Sequence, residues 1–268
     1  MDFIIEPFYK LGIGIWNIML ALIGAVATET PMNFSHDTWS LVVHELYPWF
    51  LGIGTTLLNI FYFIGIIRQS GNLRENMTLE WFLDICIKLL IANALMTSGI
   101  VLMREMFGVA REMTGDILSG TPISFSQSDM DFGAELFYAV FGIIFFAVCL
   151  VCSVTIFLVV YRRFLQLYLL VLMMPIAMST LPGGNGVSHS AYSWLRYFLS
   201  KTFSIVVIVL TIVISAKMCG GIDFGQLSGD IGTQLDGAIE ALQNMFIMIL
   251  LTASVSGTDA FMHRALGI

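Results

Sequence analysis

Cys149 and Cys152 stand three residues apart, the spacing of a dithiol redox pair or of half a zinc site. Either chemistry needs a polar, accessible setting, and a zinc site needs further ligands. The pair lies instead in an apolar run with no His or carboxylate nearby. The expectation is two small polarizable side chains packed on one helix face. His36, His44, His189 and His263 are scattered over four regions. His44 adjoins Glu45, but sequence neighbours on a helix point apart and do not chelate one ion. Gly183-Gly184-Asn185-Gly186 lacks the lysine and the preceding strand of a phosphate-binding loop. These residues predict no catalytic set, no resident metal and no cofactor.

Two groups of charges stand out. Asp84 and Lys88 are four residues apart with the acid first, the favourable order for a helical ion pair. Glu80 lies one turn before them, and Asn93 follows. Inside an apolar helix such residues read either as a polar stripe facing a channel or partner helix, or as an interfacial pair whose lysine snorkels. Arg162-Arg163 interrupts the longest apolar run of the chain. It reads as a cytoplasmic stop signal and anionic-lipid contact, or as a dock for an acidic partner.

The elements that carry these residues follow from composition. Of the 268 residues, 57% are hydrophobic and 12% charged, half the charge of a soluble domain, about 25%. So few charges cannot coat a water-exposed surface, and lipid must cover much of it. The net charge of -7 is thinly spread, with no basic stripe of the kind nucleic-acid affinity requires. The predicted fold is all-α, a polytopic transmembrane helix bundle forming a single integral membrane domain over residues 1–268.

A span needs about 20 apolar residues, and seven segments approach that length: 9–28, 46–67, 79–103, 136–161, 164–181, 194–216 and 241–258. The first could be a cleaved leader ending at Ala25-Val26-Ala27. Asp2 and Glu6 outweigh Lys10, however, where a leader is basic, so a retained helix is expected. Tyr47-Pro48-Trp49 suits a headgroup interface at the start of the second span. Residues 104–120 place Met106, Val109, Ala110, Met113 and Ile117 at helical spacing among charges. They read as an amphipathic helix on the membrane or a partner, or packed on the protein itself. Residues 119–131 and 223–236 read as acidic loops.

Basic residues mark the cytoplasmic side. If every segment spans, Arg196 and Lys201 fall outside. If 164–181 enters and returns on one side, then Arg162, Arg163, Arg196, Lys201, Lys10 and Arg264 are all cytoplasmic, and both acidic loops face outward. Residues 164–181 are short, hold Pro175 near their end, and run into Pro182, Gly183, Gly184 and Gly186, which break any helix. The expectation is six spans, one re-entrant hairpin at 164–181, and both termini in the cytoplasm. Non-helical backbone at membrane depth must be shielded by protein or water, so such a hairpin requires an assembly.

Residues 157–180, FLVVYRRFLQLYLLVLMMPIAMST, carry a Tyr-x-Arg break, a Leu-Tyr-Leu stretch and a Pro-Ile-Ala close. In this run the chain resembles the TrbL-like conjugal transfer proteins of Firmicute mobile elements, counterparts of the polytopic inner-membrane subunit of type IV secretion systems. The opening Met1-Asp2-Phe3-Ile4-Ile5-Glu6 fits the same pattern. The resemblance implies a non-enzymatic platform or channel subunit in the plasma membrane of a Gram-positive cell. It also implies a homo-oligomer that assembles with other transfer proteins, with separate ATPases supplying energy and DNA or protein as cargo. The alternative from another class is a small-solute transporter, which usually shows repeat symmetry around a midplane site.

Overall fold

The computed structural model describes residues 2–72, 79–119, 132–184, 186–219 and 236–267, and every regular element among them is helical. The order is α1 (Asp2–Ala27), α2 (Pro31–Phe34), α3 (His36–Ser40), a π-helical turn (Leu41–Leu46), α4 (Tyr47–Asn72), α5 (Leu79–Ser119), α6 (Phe132–Ser179), a 3-10 turn (Leu181–Gly183), α7 (His189–Cys219) and α8 (Asp236–Ala265). Among the described residues, six stretches are long and apolar enough to cross a membrane: Lys10–Ala27, His36–Ile67, Phe82–Ser119, Phe141–Gly183, His189–Ser215 and Leu242–Ala265. The protein is thus an all-helical, multi-pass membrane protein. Large apolar side chains such as Trp49, Ile67, Leu90 and Met218 are more than 65% exposed, which only lipid or another protein can cover.

Three expected boundaries do not occur in the backbone. The chain does not break at Arg162-Arg163: residues 136–161 and 164–181 join in one helix of 48 residues, α6. Arginine is a good helix former, so a basic pair ends a hydropathy run without ending a helix. Likewise 104–120 is no separate surface helix but the second part of the 41-residue α5. Its buried stripe is Met103, Phe107, Ala110 and Thr114, while Val109 and Met113 of the expected apolar face are exposed. Tyr47-Pro48-Trp49 opens α4 with no break from the helical turns before it. The helical path runs from His36, and a π turn precedes Pro48, with the Tyr47 N–H bonded to the Val42 carbonyl. Proline lacks an N–H and its ring clashes with the carbonyl four residues back; the wider π turn accommodates both defects. The acidic loops expected at 119–131 and 223–236 lie outside the described residues, apart from their ends.

The described chain gathers into two compact units, and α5 to α8 contribute residues to both. The first comprises Met1–Thr28, Glu112–Arg162 and Ser204–Phe261. Its core is made of helical stripes: Ile13, Trp16, Leu20 and Ile23 on α1, Phe145, Cys149, Cys152 and Ile156 on α6, and Met248, Leu251 and Val255 on α8. Spacings of three and four residues keep each row on one face. A Cβ placed at Gly12 would stand 3.2 Å from the Phe145 ring, so glycine lets α1 approach α6 closely.

The second unit comprises Glu29–Arg111, Arg163–Phe203 and Met262–Ile268. Here Trp39 meets Phe107 edge-on at 6.4 Å, and the buried Tyr47 hydroxyl donates to the Met96 carbonyl at 2.6 Å. Later residues of one strand of the bundle meet earlier residues of the other, so 36–72 and α5 run antiparallel. Phe34 stacks on Phe164 at 4.2 Å, and the Tyr168 hydroxyl donates to the Pro31 carbonyl at 2.7 Å. These contacts hold the short helix α2 against α6.

Candidate functional site

The densest cluster of sequence-predicted residues is the hairpin formed by the end of α6, the turn at 180–188 and the start of α7, all within the second unit. α6 stops at Ser179, and Leu181–Gly183 makes one 3-10 turn. Gly184 and Gly186 then take φ of 80° and 99°, a region that side chains with a Cβ rarely occupy. That is why Pro-Gly-Gly-x-Gly reverses the chain here. The Ser179 and Thr180 hydroxyls return to the carbonyls of Ile176 and Ala177, satisfying groups that a helix end leaves open.

The prolines of the hairpin seat on glycines of α4. A Cβ at Gly54 would lie 2.8 Å from Pro175 Cβ and 2.9 Å from its backbone. A Cβ at Gly65 would fall on the carbonyl oxygen of Pro182. Pro175 sits inside α6, where its ring removes one backbone hydrogen bond, and its burial against Gly54 places that defect in protein. Gly99 of α5 receives the end of Met174 in the same way. Of the small residues grouped at 52–56 in the sequence, Gly54 makes this contact, while Gly52 and Thr56 are exposed.

Arg162 and Arg163, adjacent in sequence, have opposite fates. Arg162 is exposed, while Arg163 is 5% exposed. Consecutive helical residues point about 100° apart, so a helix can bury one and expose the next. Arg163 is therefore not a surface contact. Its Nε and Nη2 donate to the carbonyls of Lys201 and Thr202 on α7 at 3.1 and 3.0 Å. Its guanidinium carbon lies 5.4 Å from the Phe164 ring centroid, within cation–π range. Nη1 is buried with no hydrogen-bond partner, and among the described residues no ion pair is made by Arg163. Lys201 is 2% exposed, with Nζ 5.5 Å from the Tyr197 ring centroid. In the same unit the Glu29 Oε2 is buried without a hydrogen-bond partner. Two buried cations thus stand on facing helices, α6 and α7. Lys201 and the half-buried Glu29 were not among the sequence-predicted site residues, because nothing in their neighbourhood marks either as enclosed.

The expected polar stripe is only partly assembled. Lys88 Nζ lies 2.5 Å from Asp84 Oδ2, and both side chains are about half exposed, at 45% and 51%. Glu80 belongs to the first turn of α5. Asn93 is exposed but stands nine residues from Asp84, about half a turn away, so it faces a different direction and does not extend the stripe. An exposed ion pair is worth about 0–1 kcal/mol. With both groups reaching water, Asp84→Asn is thus expected to change unfolding free energy in detergent by less than about 1 kcal/mol; a larger loss would mean that the pair is held away from water.

The four histidines remain apart in role. His263 stacks on Tyr197 at 5.4 Å, and His189 bonds Ser193 at 3.2 Å. Among the described residues no three of His, Cys, Asp and Glu gather as a metal site. No protein-family model, curated protein or solved structure matches the chain.

Proposed function

We propose that the protein is a membrane platform or channel subunit of a conjugative type IV secretion complex that exports DNA or protein. Its role in this reading is structural. Several copies assemble in the plasma membrane of a Gram-positive cell, with other transfer proteins and with separate ATPases that supply energy. The observation that carries the reading is the run 157–180, which resembles the TrbL-like proteins. Its residues 163–180 lie in the second unit, where Pro175, Met174 and Arg163 meet α4, α5 and α7. The multi-pass helical architecture supports the same reading.

The test is transfer. Deleting the gene from its mobile element is expected to abolish conjugation, with rescue in trans, and cross-linking in cells is expected to capture copies of this chain together with transfer ATPases. Normal transfer after a clean deletion would sink the proposal, and so would a purified monomer that moves a small solute across liposomes. Orientation gives a further expected result. In the reading with both termini inside, a cysteine at His189 is labelled only from the cytoplasmic side and one at Ser119 only from outside. Outside labelling at position 189 would overturn that orientation.

A further inference from the structure

We propose that Cys149 and Met248, with Cys152 beside them, form a binding site for Cu(I). All three residues belong to the first unit. Cys149 Sγ lies 3.4 Å from Met248 Sδ, across α6 and α8. Cys149 and Met248 are fully buried, and Cys152, also buried, lies one turn further along the same face of α6. Sequence alone shows two thiols without a third ligand; the thioether arrives from 99 residues further on.

The donor set selects the metal. Soft thiolate and thioether ligands favour Cu(I), whereas calcium, magnesium and manganese take oxygen ligands. Charge selects it again. A bare thiolate or a bare cation is costly in an apolar core. One thiolate with one Cu(I) is neutral, and coordination deprotonates a thiol outright. On binding, the Cys149 S–H bond breaks, a sulfur–copper bond forms, and the proton leaves to solvent. The metal enters and stays as Cu(I), so no electron moves. Met248 supplies a neutral second bond, and Cys152 keeps its proton as a neighbour of the two-coordinate ion.

Metal–sulfur bonds of about 2.3 Å, as for thiolate–zinc, put the two sulfurs of a two-coordinate site at most about 4.6 Å apart. Met248 must then withdraw by roughly an ångström, which an unbranched side chain permits. On the other side α1 is close, since a Cβ at residue 12 would stand 3.3 Å from Cys149 Sγ, so the adjustment falls to Met248.

The experiment titrates the full chain in detergent with Cu(I), anaerobically, in competition with bicinchoninate, and reads the metal by X-ray absorption. One Cu(I) per chain is expected, with sulfur alone in its coordination shell. Cys149→Ser removes it, while Cys86→Ser leaves it intact. Met248→Leu keeps the core volume and weakens binding by about tenfold or more, the scale on which even ligand-supporting residues act. It serves as the second variant if Cys149→Ser does not fold. No binding above a detergent blank would overturn the proposal, as would binding that Cys149→Ser and Met248→Leu leave unchanged, or a shell dominated by nitrogen and oxygen.

Discussion

Adding one methyl group at Gly65 is expected to destabilise the protein by about 3 kcal/mol, the upper part of the range for overpacking a well-filled core. The methyl would fall on the Pro182 carbonyl oxygen, a backbone atom of a turn that has no rotamer with which to retreat. Gly54→Ala is expected to follow at about 2 kcal/mol, because its Cβ would meet Pro175 backbone at 2.9 Å. Gly99→Ala provides the internal contrast. There the clash is with the sulfur and methyl of Met174, which can swing aside, so the cost stays below about 1 kcal/mol. Gly52→Ala meets nothing within 4 Å and gains up to about 1 kcal/mol of helix propensity. Unfolding in mixed micelles orders the four variants. Equal effects at Gly65 and Gly52 would mean that the hairpin does not rest on α4.

The second large effect belongs to Arg163. Arg163→Lys is expected to cost about 3 kcal/mol, and Arg163→Met less than about 1 kcal/mol, although lysine is the closer substitute by charge. Lysine keeps a buried positive charge but loses the planar fork that reaches two carbonyls and stacks on Phe164. Methionine removes the charge, the orphaned Nη1 and the desolvation cost together, and replacing a buried charge by an apolar residue of similar volume is often neutral. The comparison also separates stability from function. A stable Arg163→Met protein that no longer supports transfer would assign the guanidinium a working role. If methionine unfolds the protein as readily as lysine does, the two carbonyl bonds are structurally indispensable.

Much of the architecture was legible. The long apolar runs correspond to helices, and Pro182, Gly183, Gly184 and Gly186 mark the reversal where the backbone makes it. Helix continuity was less so. Arg104 and Arg162 end apolar runs, but hydropathy reports what surrounds a segment and not whether its backbone hydrogen bonds continue. Which apolar residues of 104–120 face protein was not legible for a related reason. A helix between lipid and protein is apolar on both sides, so apolar spacing does not say which side is the core. Asn93 was open to simple arithmetic, since nine residues at 3.6 per turn cannot share a face with Asp84. Gly52 and Gly54 look alike in sequence, and so do Arg162 and Arg163. Only the partner helix decides which member of each pair is enclosed.

The bonds from Arg163 to α7 also bear on how the chain enters its membrane. Until α7 is made, α6 has no partner for the side of Arg163 that ends up buried. The two carbonyls that accept its donors are not synthesised until residues 201 and 202. With so short a turn between them, the two helices can pair as soon as α7 emerges, so the final packing of α6 is expected to wait for α7.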